Sequence, residues 1–420
     1  MKAPALTTTD ERITPFWRSI LVCSLLIFVG INLRSVILGV PPVLPLIKGT
    51  LGLSYTETGL LTALPTLIMG GFAWFSGLLV ERIGGRAAVT IGLALLAFGA
   101  LMRAIWPGAF FLYFFTIVLS LGIALAQTTA PVLVRRWFPA HIGLVSALYT
   151  DGLIIGETIG AGVTVPIMLL FLGKNAYALS FVFWGLIVIV ALALWLWLAP
   201  HAPPTRGTRV PTAPPEQMAI LDASKAASSP AQEKPVSFIM PGLLLGAGSL
   251  MYFAMNAWIA TYNQAIHAAS YTPLALTTLN ALQLPASLGV TFFAQRLVGR
   301  RWPFIAGGVV ALIAVIGWVA TPPGAEFLWA ALLGASSALV FTLGLALPPL
   351  LAAPEQVARL TGMTLTLSYS MAFVGPFIGG GLWDLFGLPP LAFLPVALAA
   401  ALLIGLGSFL PLRSVGPARS

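Results

Sequence analysis

The feature that most limits how this chain can fold is its series of long apolar segments, most of them about 20 residues or longer and nearly free of charge. An α-helix of that length crosses a bilayer, whereas a transmembrane β-strand needs only about ten residues of alternating polarity. The chain is 59% hydrophobic and 8% charged, while soluble domains carry roughly 25% charged residues. The sequence therefore predicts an all-α integral membrane protein.

Hydrophobic segments separated by turn-forming residues predict twelve transmembrane helices. Their approximate ranges are 18–47, 55–80, 86–105, 109–133, 143–170, 176–199, 237–262, 272–294, 302–320, 325–350, 360–383 and 388–411. Residues 200–236 are rich in Pro, Ala, Ser and Thr, a composition that cannot bury a core. We expect a six-helix half over residues 1–199, a linker over 200–236 and a second six-helix half over 237–420.

The Lys and Arg residues predict the orientation in the membrane. Of the 21, seventeen fall in segments on the side of the N-terminus, and three, Lys48, Arg103 and Lys174, fall in loops on the other side. Arg34 lies inside the first span. Because cytoplasmic loops are enriched in Lys and Arg, both termini and the linker are expected in the cytoplasm, with the chain in an inner (plasma) membrane.

Composition also argues against several function classes. A net charge of +9 would be typical of nucleic-acid binding in a soluble protein, but here the basic residues lie between spans and indicate topology, so no nucleic-acid partner is expected. The sequence has no metal-ligand cluster, phosphate-binding Gly-Lys loop or hydrolase triad. We therefore expect no enzyme, cofactor or metal site. Cys23, the one cysteine, is expected to be a packing residue in the first span.

The two predicted halves resemble each other. The tripeptide Ser-Tyr-Thr at residues 54–56, before span two, recurs at residues 270–272, before span eight. Span five aligns without gaps to span eleven, and the glycines that coincide are Gly156 with Gly375, Gly160 with Gly379 and Gly162 with Gly381. Small residues at a four-residue spacing predict close helix packing. Two six-helix halves joined by a polar linker resemble the layout of the major facilitator superfamily.

A loop motif strengthens that resemblance. Residues 77–86 (GLLVERIGGR) resemble the superfamily's motif between spans two and three, with Glu where Asp is commoner. The motif positions are Gly77, Glu81, Arg82, Gly84 and Arg86. The glycines permit a tight turn, and the charges are suited to cap helix ends at an inner gate. The motif indicates the superfamily and says nothing about the substrate.

A narrower resemblance covers nearly the whole transmembrane chain. Residues 30–34 (GINLR), 59–65 (GLLTALP) and 283–285 (QLP) are similar to the cyanate and 2-nitroimidazole permease branch. The resemblance implies a transporter of small, often anionic or planar substrates. Asp151 and Glu157 stand in span five where that branch usually has small or neutral residues. We therefore expect a binding site that differs from those of the two named permeases.

Arg34 is the residue that most constrains function, because a guanidinium within a span keeps its charge and must face a partner charge or a wet cavity. At about 1.5 Å of rise per residue, Arg34 lies ~24 Å along span one and Glu157 ~21 Å along span five. This similar depth permits an ion pair. We expect Arg34 to bind the substrate and Glu157 and Asp151 to carry protons; a purely structural ion pair is the alternative.

Other polar and aromatic residues within the spans are candidates for the cavity wall. They are Asn32, Gln127, Tyr149, Tyr252, Asn256, Trp258, Gln283 and Tyr369. The sequence thus favours a monomeric, proton-coupled symporter of a small organic anion, working by alternating access in the lipid bilayer. The alternatives are an exporter of the same fold, in which Asp151 and Glu157 attract a cation, and a membrane receptor.

The predicted topology is testable by chemical labelling. A cysteine placed at Ser228 of the linker, in a Cys23→Ala background, should react with a membrane-impermeant maleimide in inside-out vesicles and not in intact cells. A cysteine at His267, in a loop predicted to face outward, is the matched control and should react in intact cells. Labelling of the Ser228 position from outside would contradict the orientation.

Overall fold

The computed structural model describes residues 15–106, 108–138, 141–170, 176–200, 239–297, 300–347, 351 and 357–409. Within these ranges the secondary structure is helical. The α-helices are α1 (Pro15–Leu38), α2 (Leu44–Leu51), α3 (Tyr55–Ile83), α4 (Gly85–Ile105), α5 (Ala109–Trp137), α6 (Ile142–Leu170), α7 (Ala176–Leu198), α8 (Ile239–Ala265), α9 (Thr272–Ala281), α10 (Gln283–Phe292), α11 (Ala294–Leu297), α12 (Trp302–Ala320), α13 (Glu326–Leu345), α14 (Val357–Phe386) and α15 (Leu394–Phe409). Short 3-10 helices cover Pro41–Val43, Ala269–Tyr271 and Pro389–Phe393.

The helices follow the predicted spans. Each of the twelve predicted ranges overlaps a helix or a run of consecutive helices. In the part of the chain that the structure describes, nine helices are long and apolar enough to cross a membrane, or ten if the bent helix α3 counts as one span. The all-α membrane architecture is confirmed. Residues 201–236 of the predicted linker, and Lys174, lie outside the described residues.

Two predicted spans are interrupted. The first continues past α1 through the 3-10 turn Pro41–Val43 into α2, and the eighth is divided into α9 and α10 at Leu282. Proline explains the second break, because Pro285 has no N–H to donate to the carbonyl of Ala281 and its ring collides with that carbonyl in a continuous helix. The break leaves Gln283 as the first residue of a new helix.

Each half of the molecule has its own hydrophobic core. In the first half, formed by α1–α7, the core includes the fully buried Leu33 and Trp195, and Cys23 packs at its edge. In the second half, formed by α8–α15, Trp258 and Trp318 are similarly buried. The chain therefore buries large side chains in each half, and aromatic side chains also pack between the halves, as Tyr55 does against Trp383.

Glycines bring equivalent helices together in the two halves. A Cβ on Gly156 of α6 would collide with the backbone oxygen of Ile31 on α1. A Cβ on Gly375 of α14 would come within 2.8 Å of Leu250 on α8. These glycines coincide in the internal repeat, so the structure confirms the predicted packing role and shows that it serves the same helix pair in each half.

The loop motif joins helix ends within the first half. Gly84 adopts a φ of +82°, which favours glycine at this turn. Arg86 donates from Nη2 to the carbonyl of Leu196 at 2.7 Å, in the last turn of α7, where a cation also interacts favourably with the helix dipole. Glu81 and Arg82 are exposed, and Gly77 is half-buried. The predicted capping of a helix end is thus found at Arg86.

The two halves meet where α3 begins and α14 ends. The Ser54 hydroxyl and the Glu57 carboxylate form a capping box at the start of α3. Asp384 of α14 accepts hydrogen bonds from the backbone N–H groups of Tyr55 at 2.9 Å and Thr56 at 2.6 Å. A carboxylate is stabilised by the free N–H groups and the positive dipole at a helix N-terminus. The second half therefore caps a helix of the first, and this end of the bundle is closed.

The close approach at Gly156 predicts a large effect of one methyl group. Gly156→Ala should lower the free energy of unfolding by roughly 1–3 kcal/mol, because the added Cβ overlaps the α1 backbone. Thermal unfolding of the detergent-purified protein measures this. Gly405→Ala is the matched control, since its Cβ would meet no atom within 4 Å. Equal behaviour of the two variants would contradict the packing role of Gly156.

Candidate functional site: a charged cavity between the halves

A cavity of about 80 Å³ lies between the two halves. Its walls come from α1, α6, α8, α10, α13 and α14, and its polar lining includes Arg34, Glu157, Tyr252, Gln283 and Tyr369. A single buried water needs roughly 10–15 Å³ of such a cavity, so there is room for several waters or a small solute. The surface of the wall is mostly apolar, although Thr150, Ser249, Ser287, Ser337 and Thr342 also line it. Apolar surroundings strengthen electrostatic interactions inside the cavity.

Arg34 and Glu157 face each other in this cavity. Arg34 Nε lies 3.6 Å from Glu157 Oε1, and the side chains are 7% and 8% exposed. This separation is longer than a hydrogen bond, and Arg34 Nε and Nη1 are buried without a hydrogen-bond partner among the described residues. The ion pair that the similar depths permitted is therefore present, and it leaves guanidinium donors available.

The sequence places this pair through local packing. Gly156 precedes Glu157, and its missing side chain lets the backbone of α6 touch α1 at Ile31, close to one turn before Arg34. A larger residue at 156 would push the two helices apart. The same small-residue contact that packs the helices therefore brings the carboxylate to the guanidinium.

The second half reaches the pair through an amide. Gln283 Nε2 donates to Glu157 Oε2 at 3.3 Å, from the position where the proline-induced break starts α10. Because Glu157 belongs to α6 and Gln283 to α10, the hydrogen bond crosses between the halves. Glu157 is thus held by a charged partner in its own half and a neutral partner in the other.

A buried amide network stands behind the cavity. The Tyr252 hydroxyl donates to Asn280 Oδ1, and Asn280 Nδ2 donates to Asn256 Oδ1 at 2.9 Å. Sequence reasoning missed Asn280, although an amide three residues before Gln283 in an apolar span was a usable signal. Asn256 does not line the cavity that contains Arg34; it fixes the network that orients Tyr252.

Gln127 and Tyr149 lie near the site without lining the cavity. Gln127 Nε2 donates to the Tyr369 hydroxyl at 2.8 Å, another hydrogen bond that crosses between the halves. Tyr149 is buried, packs against Gly30, and has a hydroxyl with no hydrogen-bond partner among the described residues. These two residues support the site from behind its wall.

Three other predicted residues lie away from the cavity. Asn32 is fully buried and donates to the carbonyl of Phe28 at 2.8 Å. Trp258 is buried in the second core against Trp383, with ring centroids 5.7 Å apart. Asp151 is half-buried on α6 and is not among the residues that line the cavity. Helix faces, which a single sequence does not resolve inside a membrane, decide all three positions.

Arg103 is also placed differently from the prediction. It was counted with the outer loop that follows the predicted span 86–105, although it lies inside that span: α4 ends at Ile105, and its last turn includes Arg103. The side chain is 4% exposed, and its guanidinium lies 4.3 Å from the centre of the Phe181 ring. The long side chain turns inward between helices, where the ring face attracts the cation.

A family model now identifies the architecture. The model of the Major Facilitator Superfamily matches residues 20–298. The chain belongs to the major facilitator superfamily. It is therefore a multi-pass membrane transporter with a small-molecule substrate, as members of this superfamily are.

Individual relatives confirm the narrower resemblance. The cyanate transport protein CynX of Escherichia coli (strain K12) is 28% identical over 92% of this chain and 97% of its own length. The 2-nitroimidazole transporter of the same strain is 26% identical over 92% of this chain and 94% of its own. The inward-open xylose transporter XylE from E. coli has the same fold, with a TM-score of 0.69 and 14% identity over 95% of this chain and 97% of that one.

The buried ion pair predicts non-additive effects on stability. Arg34→Met leaves the Glu157 carboxylate without its charged partner and should cost roughly 3–5 kcal/mol of unfolding free energy. Adding Glu157→Gln should recover most of that loss, because no buried charge remains. Thermal unfolding of the purified variants measures the coupling, with the exposed Arg301→Met as control. Losses that simply add would show that the two side chains do not interact.

Proposed function

We propose that this transporter moves a small planar or delocalised anion together with protons by alternating access. The observation that carries the proposal is the Arg34 guanidinium, which faces a largely apolar cavity between the halves with donors that Glu157 leaves unused. A guanidinium presents a planar fork of donors that suits a carboxylate or a similar anion. Cyanate and 2-nitroimidazole, named for two relatives, are both small, which supports a small solute.

The ion pair supplies a mechanism for coupling. An anion that binds Arg34 would come close to Glu157, and two negative charges at one guanidinium repel strongly in an apolar cavity. A proton on Glu157 removes this repulsion and frees Arg34 for the anion. Anion and proton therefore enter together, and charge compensation makes their binding mutually dependent. Asp151, six residues earlier on α6, is the proposed next proton acceptor toward the cytoplasm.

The hydrogen bonds that cross between the halves link binding to movement. Gln283 contacts Glu157, and Gln127 contacts Tyr369. Protonation of Glu157 or anion binding at Arg34 would therefore alter contacts in both halves. The Asp384 end is closed by contacts with the start of α3. The Lys and Arg distribution predicts that this end faces outward, so we infer that the described arrangement is closed to the outside.

Transport measurements test the coupling role directly. In proteoliposomes with an inward proton gradient, Glu157→Gln should abolish concentrative uptake of radiolabelled cyanate, because the amide neither binds nor releases a proton. Cyanate exchange should persist, since Arg34 remains. The matched control is Glu326→Gln, which alters a carboxylate of similar burial that accepts a hydrogen bond from Asn263. Gradient-driven accumulation that survives Glu157→Gln would reduce Glu157 to a structural partner of Arg34.

A further inference from the structure

A second, smaller cavity lies beside the first, toward the closed end of the bundle. Its volume is about 20 Å³, enough for roughly one water in this conformation. Segments of the first half form most of its wall, and α8 of the second half closes it with Phe253, Asn256 and Ala257. Because its walls belong to both halves, its size changes when the halves separate at this end.

Arg103 lines this second cavity. The residue is 4% exposed, and its Nε and Nη2 atoms are buried without a hydrogen-bond partner among the described residues. The side chains that the structure describes around this cavity include no carboxylate. Arg34 has Glu157 beside it, whereas the described group that attracts the Arg103 cation is the ring face of Phe181. A buried guanidinium with unused donors that faces a cavity indicates an acceptor ligand.

The neighbouring polar groups do not take up these donors. The Thr116 hydroxyl donates to the carbonyl of Leu112 at 2.6 Å, and the Thr62 hydroxyl donates to the carbonyl of Gly59 at 3.0 Å. Both hydroxyls thus complete their own helices. An anion that entered the cavity would find the Arg103 fork as its principal donor.

The two cavities are adjacent on one route. Phe253 lines both of them. Asn256 lines the second cavity and is joined through Asn280 to Tyr252, which lines the first. A solute that passed Phe253 would move from the donors of Arg103 to those of Arg34, with Asn256 in the wall of one cavity and Tyr252 in the wall of the other.

We propose that Arg103 forms a second anion-binding site, which binds the small planar or delocalised anion on the outer side before it reaches Arg34. The inference extends the proposed function, since it adds a stage to the route of the same anion. When the end near Asp384 opens, the guanidinium attracts the anion from that side. The small volume of the second cavity favours compact anions. The described side chains around Arg103 include no carboxylate with which an arriving anion would have to compete.

Binding of sodium cyanate to the purified protein tests the site, with sodium gluconate, an anion much bulkier than cyanate, at equal ionic strength as reference. Four proteins are compared by calorimetric titration: the wild type, Arg34→Met with Glu157→Gln, Arg103→Met, and all three changes together. The variant with Arg34→Met and Glu157→Gln, whose central pair is neutral, should retain a weaker cyanate site at Arg103. The triple variant should lose binding altogether. Arg103→Met alone should raise the KM for uptake from the closed side by roughly tenfold.

The outcomes separate the two proposals. Complete loss of cyanate binding with the neutral central pair, together with unchanged binding and KM in Arg103→Met, would overturn the second site and leave Arg103 as a partner of Phe181. Unchanged binding with the neutral central pair, but complete loss in Arg103→Met, would overturn the role of Arg34 and retain that of Arg103.

Two further variants control for folding and for bulk charge. Arg103→Lys keeps the cation but loses the planar fork, so cyanate affinity at this site should fall severalfold even if Arg103→Met does not fold; an unchanged dissociation constant would overturn the site. Lys48→Met removes a cation at the same end, one that lies 4.0 Å from the centre of the Tyr55 ring. This variant should leave cyanate binding unchanged. A loss of affinity equal to that of Arg103→Met would mean that cyanate responds to the net positive charge at this end, and it would overturn a specific site at Arg103.

Discussion

The burial of a guanidinium and a carboxylate between apolar helices is the constraint on which this structure depends. Removing each ion from water costs several kcal/mol, and only a nearby partner offsets that cost. Arg34 and Glu157 must therefore stay within reach of each other, and the side-chain-free contact at Gly156 makes this possible. The pair is held by charge attraction without a direct hydrogen bond, and the proposed coupling to a proton and an anion depends on this.

Closure of the bundle relies on weaker interactions. Asp384 is exposed and caps α3 through backbone N–H groups, and Tyr55 stacks on Trp383 with ring centroids 4.1 Å apart. Interactions of an exposed carboxylate with a helix N-terminus contribute roughly 0.3–1 kcal/mol. The proposed alternation between two states needs such contacts at the ends of the bundle, because strong ones would fix one state. The molecule thus combines a costly charge pair at its centre with modest contacts at this end.

Much of this arrangement was predictable from the sequence. Apolar length gave the helices and their order. The aligned glycines indicated close helix packing, and the structure identifies the close pairs as α1–α6 and α8–α14. The depth of Arg34 and Glu157 followed from helical rise alone. The capping box at Ser54 and the turn at Gly84 followed from local backbone chemistry.

Rotation about each helix axis was not predictable. In water, an apolar stripe marks the face of a helix that packs inward, but in a membrane the lipid-facing side is equally apolar, so this signal disappears. The sequence therefore predicted Trp258 as a cavity residue, although it packs in a core. It also assigned Arg103 to a loop, although its side chain turns inward between helices. A polar side chain within a membrane span indicates that it interacts with a polar or charged partner. Only the fold shows whether that partner is another side chain, as for Arg34, or must come from outside the chain.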